Sequence, residues 1–284
     1  MQFSLIVATI NRVDTLDRLL ESLDGQIYTD FEVIIADQNS DQRVMPLVER
    51  YAGGLHLRHC RVRPGLSAAR NEALAMAKGA VVAFPDDDCW YLPETLSRID
   101  ALMQDHADVE GLSVACCDGD GRPSVQNWPR EPVRITPRNV WRRAVSIGLF
   151  IRREEVRSVG GFDESLGAGS GSPWGSGEET DLVLRLLSAG VDLDYLPELL
   201  VGHANPTDDF DAAAGARALA YGRGLGRVLA KHRRPLDEKA LVLLRPACGA
   251  VLAGLKGQWG RSRYYRMSFR GRWQGLRGAH KMAN

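Results

Sequence analysis

Apolar runs and helical repeats alternate along the first hundred residues. Phe3–Thr9, FSLIVAT, is a short β-branched run that predicts a buried strand. Leu16, Leu19, Leu20 and Leu23 then recur at helical spacing behind the capping candidates Asn11 and Asp14, so a helix is expected to about Leu23. Phe31–Ala36 predicts a second buried strand, closing on the polar turn DQNSD. Val44–Tyr51 predicts a helix and Leu55–Val62 a short strand. A Pro-Gly turn opens RPGLSAARNEALAMAKG, whose helix is expected to end at Gly79. Ala80–Phe84 reads as a further buried strand, and Leu92–Gln104 as a helix with Pro93 at its start.

Strand, helix, strand in this succession is the pattern of a doubly wound, mostly parallel α/β sheet. Such sheets bind ligands at the carboxyl ends of their strands. Three polar clusters fall there: Thr9-Ile10-Asn11-Arg12, Asp37-Gln38-Asn39-Ser40 and Asp86-Asp87-Asp88. Past Gly111 the pattern changes. Leu112–Cys117 and Ala144–Arg152 read as strands and Glu154–Val159 as a short helix, whereas residues 118–145 are polar and lack a clear period. The glycine-rich stretch 167–177, GAGSGSPWGSG, precedes an amphipathic helix, EETDLVLRLLSAG, and is expected to be a mobile active-site loop. Asp192–Val201 reads as extended, ending at Gly202-His203, and Asp211–His232 as helical before a basic C-terminal region.

Composition changes the picture little. With 284 residues, 44% hydrophobic and 25% charged, the chain fits a soluble globular class with a sizeable core. MQFSLIVATINR has no signal-peptide pattern, and the longest apolar stretch, Ala240–Leu255, is interrupted at Arg245-Pro246. Cys60, Cys89, Cys116, Cys117 and Cys248 form no CxxC pair and read as reduced thiols of a cytosolic protein. Charge is more telling. Net charge is zero, yet ten Lys/Arg and no Asp/Glu lie from Lys239 to the end. In QWGRSRYYRMSFRGRWQGLRG, aromatic residues interleave with arginines. An anionic membrane surface suits that composition best, a protein partner next, and nucleic acid least because the rest of the chain is acidic.

The aspartate run asks for a chemical reason. Oxygen ligands suit Mg²⁺ or Mn²⁺, which are often held by one or two carboxylates plus substrate phosphates. The alternative is a solvated acidic turn that caps the next helix. Here the sequence resembles an inverting family 2 glycosyltransferase of the GT-A fold. That family opens close to SVIIPTYNR, matched by FSLIVATINR. Its VVDDGSTD is matched by IIADQNSD, its GLSAARNxGL by PGLSAARNEAL, and its FLDxDD by FPDDDC. GGFDE stands within GGFDESLG, and a GGED-type helix start is matched by GSGEETDLVLR.

The resemblance implies a Rossmann-like, mostly parallel central sheet flanked by helices, with a helical basic extension. It implies a nucleotide-sugar-binding half over 1–110, an acceptor-binding half of the same domain over 111–210, and the extension over 211–284. It places Thr9, Arg12, Asp37 and Arg70 on the donor nucleotide: Asp37 at the base, Arg70 at phosphate or ribose. Asp86 and Asp88 match the two acids of the DxD signature, with Asp88 on the metal and Asp86 on ribose or metal-bound water; Asp87 takes the variable place. Cys89 stands where a further aspartate is common. His203 is implied as a third metal ligand, or else is structural. Glu179 is the implied base, although it replaces Asp, with Glu178 and Asp181 as fallbacks; the bland reading is three acids at a helix start. Trp174 either stacks on the acceptor sugar or anchors its loop, and Trp90-Tyr91 pack beneath the metal loop.

The expected activity is metal-dependent, inverting transfer from an NDP-sugar, with UDP favoured, to a hydroxyl of a glycan or lipid-linked oligosaccharide. Mn²⁺ or Mg²⁺ would neutralise the leaving diphosphate. The expected setting is bacterial surface-polysaccharide biosynthesis, in the cytoplasm and peripheral at the inner face of the cell membrane through residues 239–284. Two rivals remain: a catalytically degenerate sugar-nucleotide-binding protein, and a nucleotidyltransferase-like enzyme, which the lack of a glycine-rich phosphate loop disfavours.

Overall fold

The computed structural model describes residues 1–105, 109–205 and 209–278. Contacts divide them into two compact units. The first takes Met1–Pro64, Ala68–Phe162 and 182–205; the second takes Gly65–Ser67, Asp163–Asp181 and 209–278. The last residues of the basic tail, 279–284, lie outside the described residues.

The first unit is built on a mixed sheet. Strands β1 (Phe3–Thr9), β2 (Phe31–Asp37), β3 (Leu57–Arg61) and β4 (Val81–Ala83) form its parallel part, in the order β3-β2-β1-β4. Helices α1 (Asp14–Asp24), α2 (Met45–Tyr51) and α3 (Leu66–Met76) supply the crossovers. β1 and β2 bury nearly every residue because both sheet faces are covered, which explains their unbroken apolar runs. Leu16, Leu19, Leu20 and Leu23 of α1 enter the core shared by Phe3, Leu5, Val7, Val33 and Ile35. Asn11 does not cap α1. Val13 holds the N-cap position and makes no side-chain cap, and Asn11 takes φ 59°, its N–H donating to Asn39 Oδ1 at 2.7 Å.

The sheet then reverses. β5 (Cys89–Tyr91) and β6 (Gly111–Cys117) flank α4 (Thr95–Asp105); β7 (Val133–Arg134), β8 (Leu149–Arg152) and β9 (Leu193–His203) follow. β8 runs antiparallel between β4 and β6, β6 pairs β9 in parallel with a bulge at Val114/Ala115, and β5 lies antiparallel along β9. β5 and β7 are too short to show a sequence period. The strand expected over Ala144–Arg152 is shorter: residues 146–148 form a 3₁₀ turn and only Leu149–Arg152 is extended. At Gly148 a Cβ would stand 2.5 Å from the Val114 carbonyl oxygen, so only glycine lets the chain pass. α5 (Arg153–Ser158) and α6 (Glu178–Ser188) complete the series before β9.

The second unit is dominated by α7 (Ala212–Lys231), α8 (Leu236–Leu255) and α9 (Trp259–Gly278). α8 runs straight through Arg245-Pro246, the point that interrupts the apolar run in the sequence. Proline has no N–H for the carbonyl four residues back, here Val242. That carbonyl instead accepts Arg272 Nη1 of α9 at 2.6 Å, so the helix continues with its orphaned acceptor satisfied from outside.

Candidate active site

The carboxyl ends of β1, β2 and β4 bring the three polar clusters together in the first unit. β1 and β2 pair through Thr9↔Asp37, and the β1 pairing continues past β4 as an Ala8↔Asp86 bridge. Thr9 Oγ1 then donates to Asp87 Oδ2 at 2.7 Å, and Arg12 Nη1 donates to Asp87 Oδ1 at 3.0 Å and to Asp88. Asp87 is 5% exposed, and burial pushes its carboxyl up to about 6 against the pull of Thr9 and Arg12. It ties the first loop to the aspartate run and does not face solvent.

Asp86 and Asp88 point the other way. Asp86 accepts Arg70 Nη2 at 2.7 Å while keeping 38% of its side chain exposed. Its recessed position raises its pKa and Arg70 opposes that rise. Arg70 is 1% exposed, its guanidinium carbon 5.9 Å from the Phe84 ring centre and 5.3 Å from that of Phe162. The two rings meet edge to face at 4.8 Å and clamp the guanidinium from the side, which fixes its direction toward Asp86.

The register of β5 on β9 sets Cys89 opposite His203 and so carries His203 to the aspartates. His203 Nε2 lies 3.4 Å from Asp88 Oδ1. The His203 contact, reinforced by Arg12 against burial, holds the Asp88 carboxyl below its usual range, and Asp88 in turn raises the imidazole. Cys89 is 1% exposed and belongs to the apolar core, its thiol pushed up by burial. The chain alternates here: Asp86 and Asp88 on the open side, Asp87 and Cys89 inward. A fourth aspartate at position 89 would be buried, so the departure from the family pattern costs the open side no ligand. Tyr91 is buried under the loop, while Trp90 lies against Gly202 with Arg18 stacked over it at 5.4 Å.

Asp37 is fully buried. Its Oδ1 accepts Asn39 N–H at 2.9 Å and Asn39 Nδ2 at 2.7 Å; Oδ2 lies 3.0 Å from His59 Nε2 and 3.7 Å from Arg61 Nε. Burial would raise this carboxyl, but the His59 and Asn39 hydrogen bonds and Arg61 outweigh it and hold it low. Both oxygens are therefore partnered, and a base N–H reaches Asp37 only if His59 or Arg61 gives way. Sequence reasoning gave Asn39 no role beyond its polar cluster and passed over His59 and Arg61. The signal was there in β3, LRHCR, where His59 and Arg61 alternate onto one face of an edge strand.

A divalent cation fits the open side. Asp88 offers an ionised oxygen and His203 an imidazole, a pairing suited to Mn²⁺. Among the described residues no group of three or more His, Cys, Asp or Glu is gathered to hold an ion. Two protein ligands completed by phosphate oxygens and water is the usual arrangement for such a cation.

The other expected residues lie in the second unit. Glu178 is 6% exposed and Glu179 half-buried in the first turn of α6, where the helix dipole favours their charge. Asp181 is fully buried and paired with Lys231 Nζ at 2.7 Å and His232 Nε2 at 2.8 Å, so it fastens α6 to the end of α7. Trp174 is 7% exposed, with Arg227 over its ring at 5.9 Å and Gly278 against its edge. That is the anchoring alternative; an acceptor would reach the ring only if the end of α9 moved. The 167–177 loop is pinned beneath by Leu66 N–H to Ala168 O at 2.9 Å and Ser67 Oγ to Leu166 O at 2.7 Å.

A mixed sheet of this order, with a DxD-type turn at the end of β4, defines a GT-A type nucleotide-binding fold. The chain belongs to glycosyl transferase family 2, whose sequence pattern matches residues 4–153. It is 34% identical over 129 residues to poly(ribitol-phosphate) beta-N-acetylglucosaminyltransferase TarS of Staphylococcus aureus, a match covering 43% of this chain and 22% of TarS. The chain thus spans about a fifth of that relative's length. The crystal structure of S. aureus TarS 1–349 in complex with UDP-GlcNAc matches with TM-score 0.64 and 20% identity, covering 95% of this chain and 92% of that one. The mannosyltransferase PcManGT of Pyrobaculum calidifontis, in complex with GDP-Man and Mn²⁺, matches with TM-score 0.64 and 19% identity, over 99% of this chain and 86% of that one. These structural matches establish the fold.

Proposed function

We propose that the protein is a metal-dependent, inverting glycosyltransferase that moves a sugar from an NDP-sugar, with UDP favoured, to a hydroxyl of a glycan or lipid-linked oligosaccharide. The setting we favour is bacterial surface-polysaccharide assembly at the inner face of the cell membrane. One observation carries the reading. Residues far apart in sequence, Asp88 and His203, meet at the carboxyl edge of the sheet beside an exposed carboxylate and two arginines. The UDP-GlcNAc and GDP-Man/Mn²⁺ complexes of the structural neighbours support a nucleotide-sugar donor and a divalent ion here.

A cation at Asp88 and His203 would supply charge neutralisation to the departing diphosphate. Arg12 has 52% of its side chain exposed and can turn from Asp88 to a phosphate oxygen. Arg70 holds Asp86 toward ribose or a bound water. Asp37 orders Asn39 and Arg61 at the base end of the site. Glu179 takes the proton of the acceptor hydroxyl as it attacks the anomeric carbon, inverting it; Glu178 is the nearer substitute, because Asp181 is buried and held by Lys231 and His232.

Thermal shift and turnover test this together. The wild-type melting temperature is expected to rise with UDP only when Mn²⁺ is present. Asp88→Ala should lose that rise. Glu179→Gln should keep it and lose transfer by at least about a hundredfold. Ordinary turnover in the Glu179→Gln protein would remove that residue as base, and a metal-independent shift would remove the cation.

A further inference from the structure

Helix α8 is inside out for a water-soluble helix. Its buried side carries Pro246, Ala250 and Ala253. Its outer side carries Leu241, Leu244, Val251, Leu252 and Leu255, with exposures of 67%, 59%, 62%, 58% and 81%, and exposed Cys248 fills the gap between them. Leu241, Leu244, Cys248, Leu252 and Leu255 recur every three or four positions with Val251 beside them, so they form one stripe about 21 Å long at 1.5 Å per residue. Scattered exposed leucines are ordinary, but a continuous stripe marks a contact surface. Trp259, 71% exposed, extends it past the α8–α9 turn.

We propose that this outer face of α8, together with the α8–α9 turn, lies on an anionic lipid surface. This gives the membrane placement proposed above a particular face and a particular lipid chemistry. Charge selects the partner. Arg245 and Lys256 are exposed beside the stripe, Arg261, Arg263, Arg266 and Arg270 are exposed on α9, and no acidic residue follows Glu238. The acids that open α8, Asp237 and Glu238, precede the stripe, and Glu238 is taken by Arg234 at 2.6 Å. At the turn, a cleft of about 410 Å³ is lined by Phe210, Gln258, Trp259, Gly260 and Arg261. Arg261 stacks over Phe210 at 5.6 Å and lines the same cleft as the Trp259 indole, where a headgroup phosphate would lie.

A second copy of the chain suits the face less well. The leucine spacing resembles a helix–helix seam, but such seams carry flanking charges of both signs. Two copies here would oppose Arg245 and Lys256 to further cations. Among the described residues no helix is long and apolar enough to cross a membrane. α8 therefore lies in the interface plane, with leucines at the acyl boundary and arginines at phosphates.

The test uses the full-length protein and sedimenting vesicles of phosphatidylcholine, with or without about one-third phosphatidylglycerol. The wild type should bind the anionic vesicles, bind neutral ones at least about tenfold less, and be released by salt. The doubly substituted L244E/L252E protein and the R261E/R263E protein should each lose about tenfold or more of the partitioning. Both should keep a cooperative melting transition and the UDP/Mn²⁺ thermal shift, so a failed lipid result stays separate from a failed nucleotide result. Absent wild-type binding to anionic vesicles overturns the proposal, as does unchanged binding by L244E/L252E. A dimer in sedimentation velocity that L244E/L252E disperses, without vesicle binding, assigns the face to a second copy instead.

Discussion

Asp88 and His203 set each other's proton affinity, and that has a visible consequence. Asp88 raises the imidazole above its ordinary 6.5. A protonated ring competes with a cation, so metal-dependent nucleotide binding should strengthen as pH rises through the histidine's raised value. Calorimetric titration of UDP with Mn²⁺ between about pH 5.5 and 8 should show this rise in the wild type, and a much flatter profile in His203→Ala. An equally steep profile in the variant would place the titration elsewhere. Asp37 makes the opposite kind of prediction, about stability. Its folded value lies below the ordinary 3.8 because His59, Asn39 and Arg61 outweigh burial. The stabilisation is thus complete above the unfolded value and lost as pH falls through the folded one. Asp37→Asn should cost about 1–3 kcal/mol at neutral pH and flatten the acid limb of the urea-midpoint curve. At this scale the sequence named the open carboxylates and their neighbours Arg12, Arg70 and His203, but not His59 and Arg61, the partners of Asp37. Which of Asp86, Asp87 and Asp88 faces inward depends on the β5 register, and a three-residue strand leaves no period to read.

The bond between α8 and α9 shows how an element survives its own sequence. Arg272 is largely buried, and burial with nearby Arg245 lowers its pKa, a cost that one backbone acceptor helps to offset. That acceptor, Val242 O, is free only because Pro246 has no N–H to give it. Arg272→Met should therefore destabilise the protein by about 1–3 kcal/mol, since it leaves a buried carbonyl unpaired. In a Pro246→Ala background the helix supplies its own donor, so the same substitution should cost about 1 kcal/mol less. Chemical denaturation of the four proteins measures the coupling, and strict additivity would mean that Arg272 acts only by packing. Arg245-Pro246 interrupts the apolar run of the sequence without interrupting the helix. What satisfies the helix there is a contact between residues 30 apart along the chain, which no local pattern records. The strand expected over 144–152 failed for a related reason, the close approach of Gly148 to the Val114 carbonyl. The long buried strands β1, β2 and β6 were legible because both their faces are covered.

The residues we assign to the nucleotide and the glycine-packed helices belong to different compact units. Thr9, Arg12, Asp37, Arg70, Asp86, Asp88 and His203 all belong to the first unit, whereas α7, α8 and α9 belong to the second. The alternation of strands and helices foretold the parallel part of the sheet, but not the antiparallel insertion of β8 between β4 and β6, because pairing order is a nonlocal property. In the second unit α7 and α9 approach through Gly222, Gly226, Gly271 and Gly275, and a Cβ at Gly275 would stand 2.1 Å from the Arg223 carbonyl oxygen. Gly275→Ala must push the two helices apart, at a cost of about 1–3 kcal/mol for overpacking. Gly53→Ala, with nothing within 4 Å, is the matching control and should be nearly neutral. Because the overpacked contact lies in one unit, its cost should be local. Hydrogen exchange in Gly275→Ala should quicken across α7 and α9, while β1, β2 and β4 keep their protection and the UDP/Mn²⁺ shift is retained. Uniform loss of protection in both units would mean that they unfold as one cooperative body.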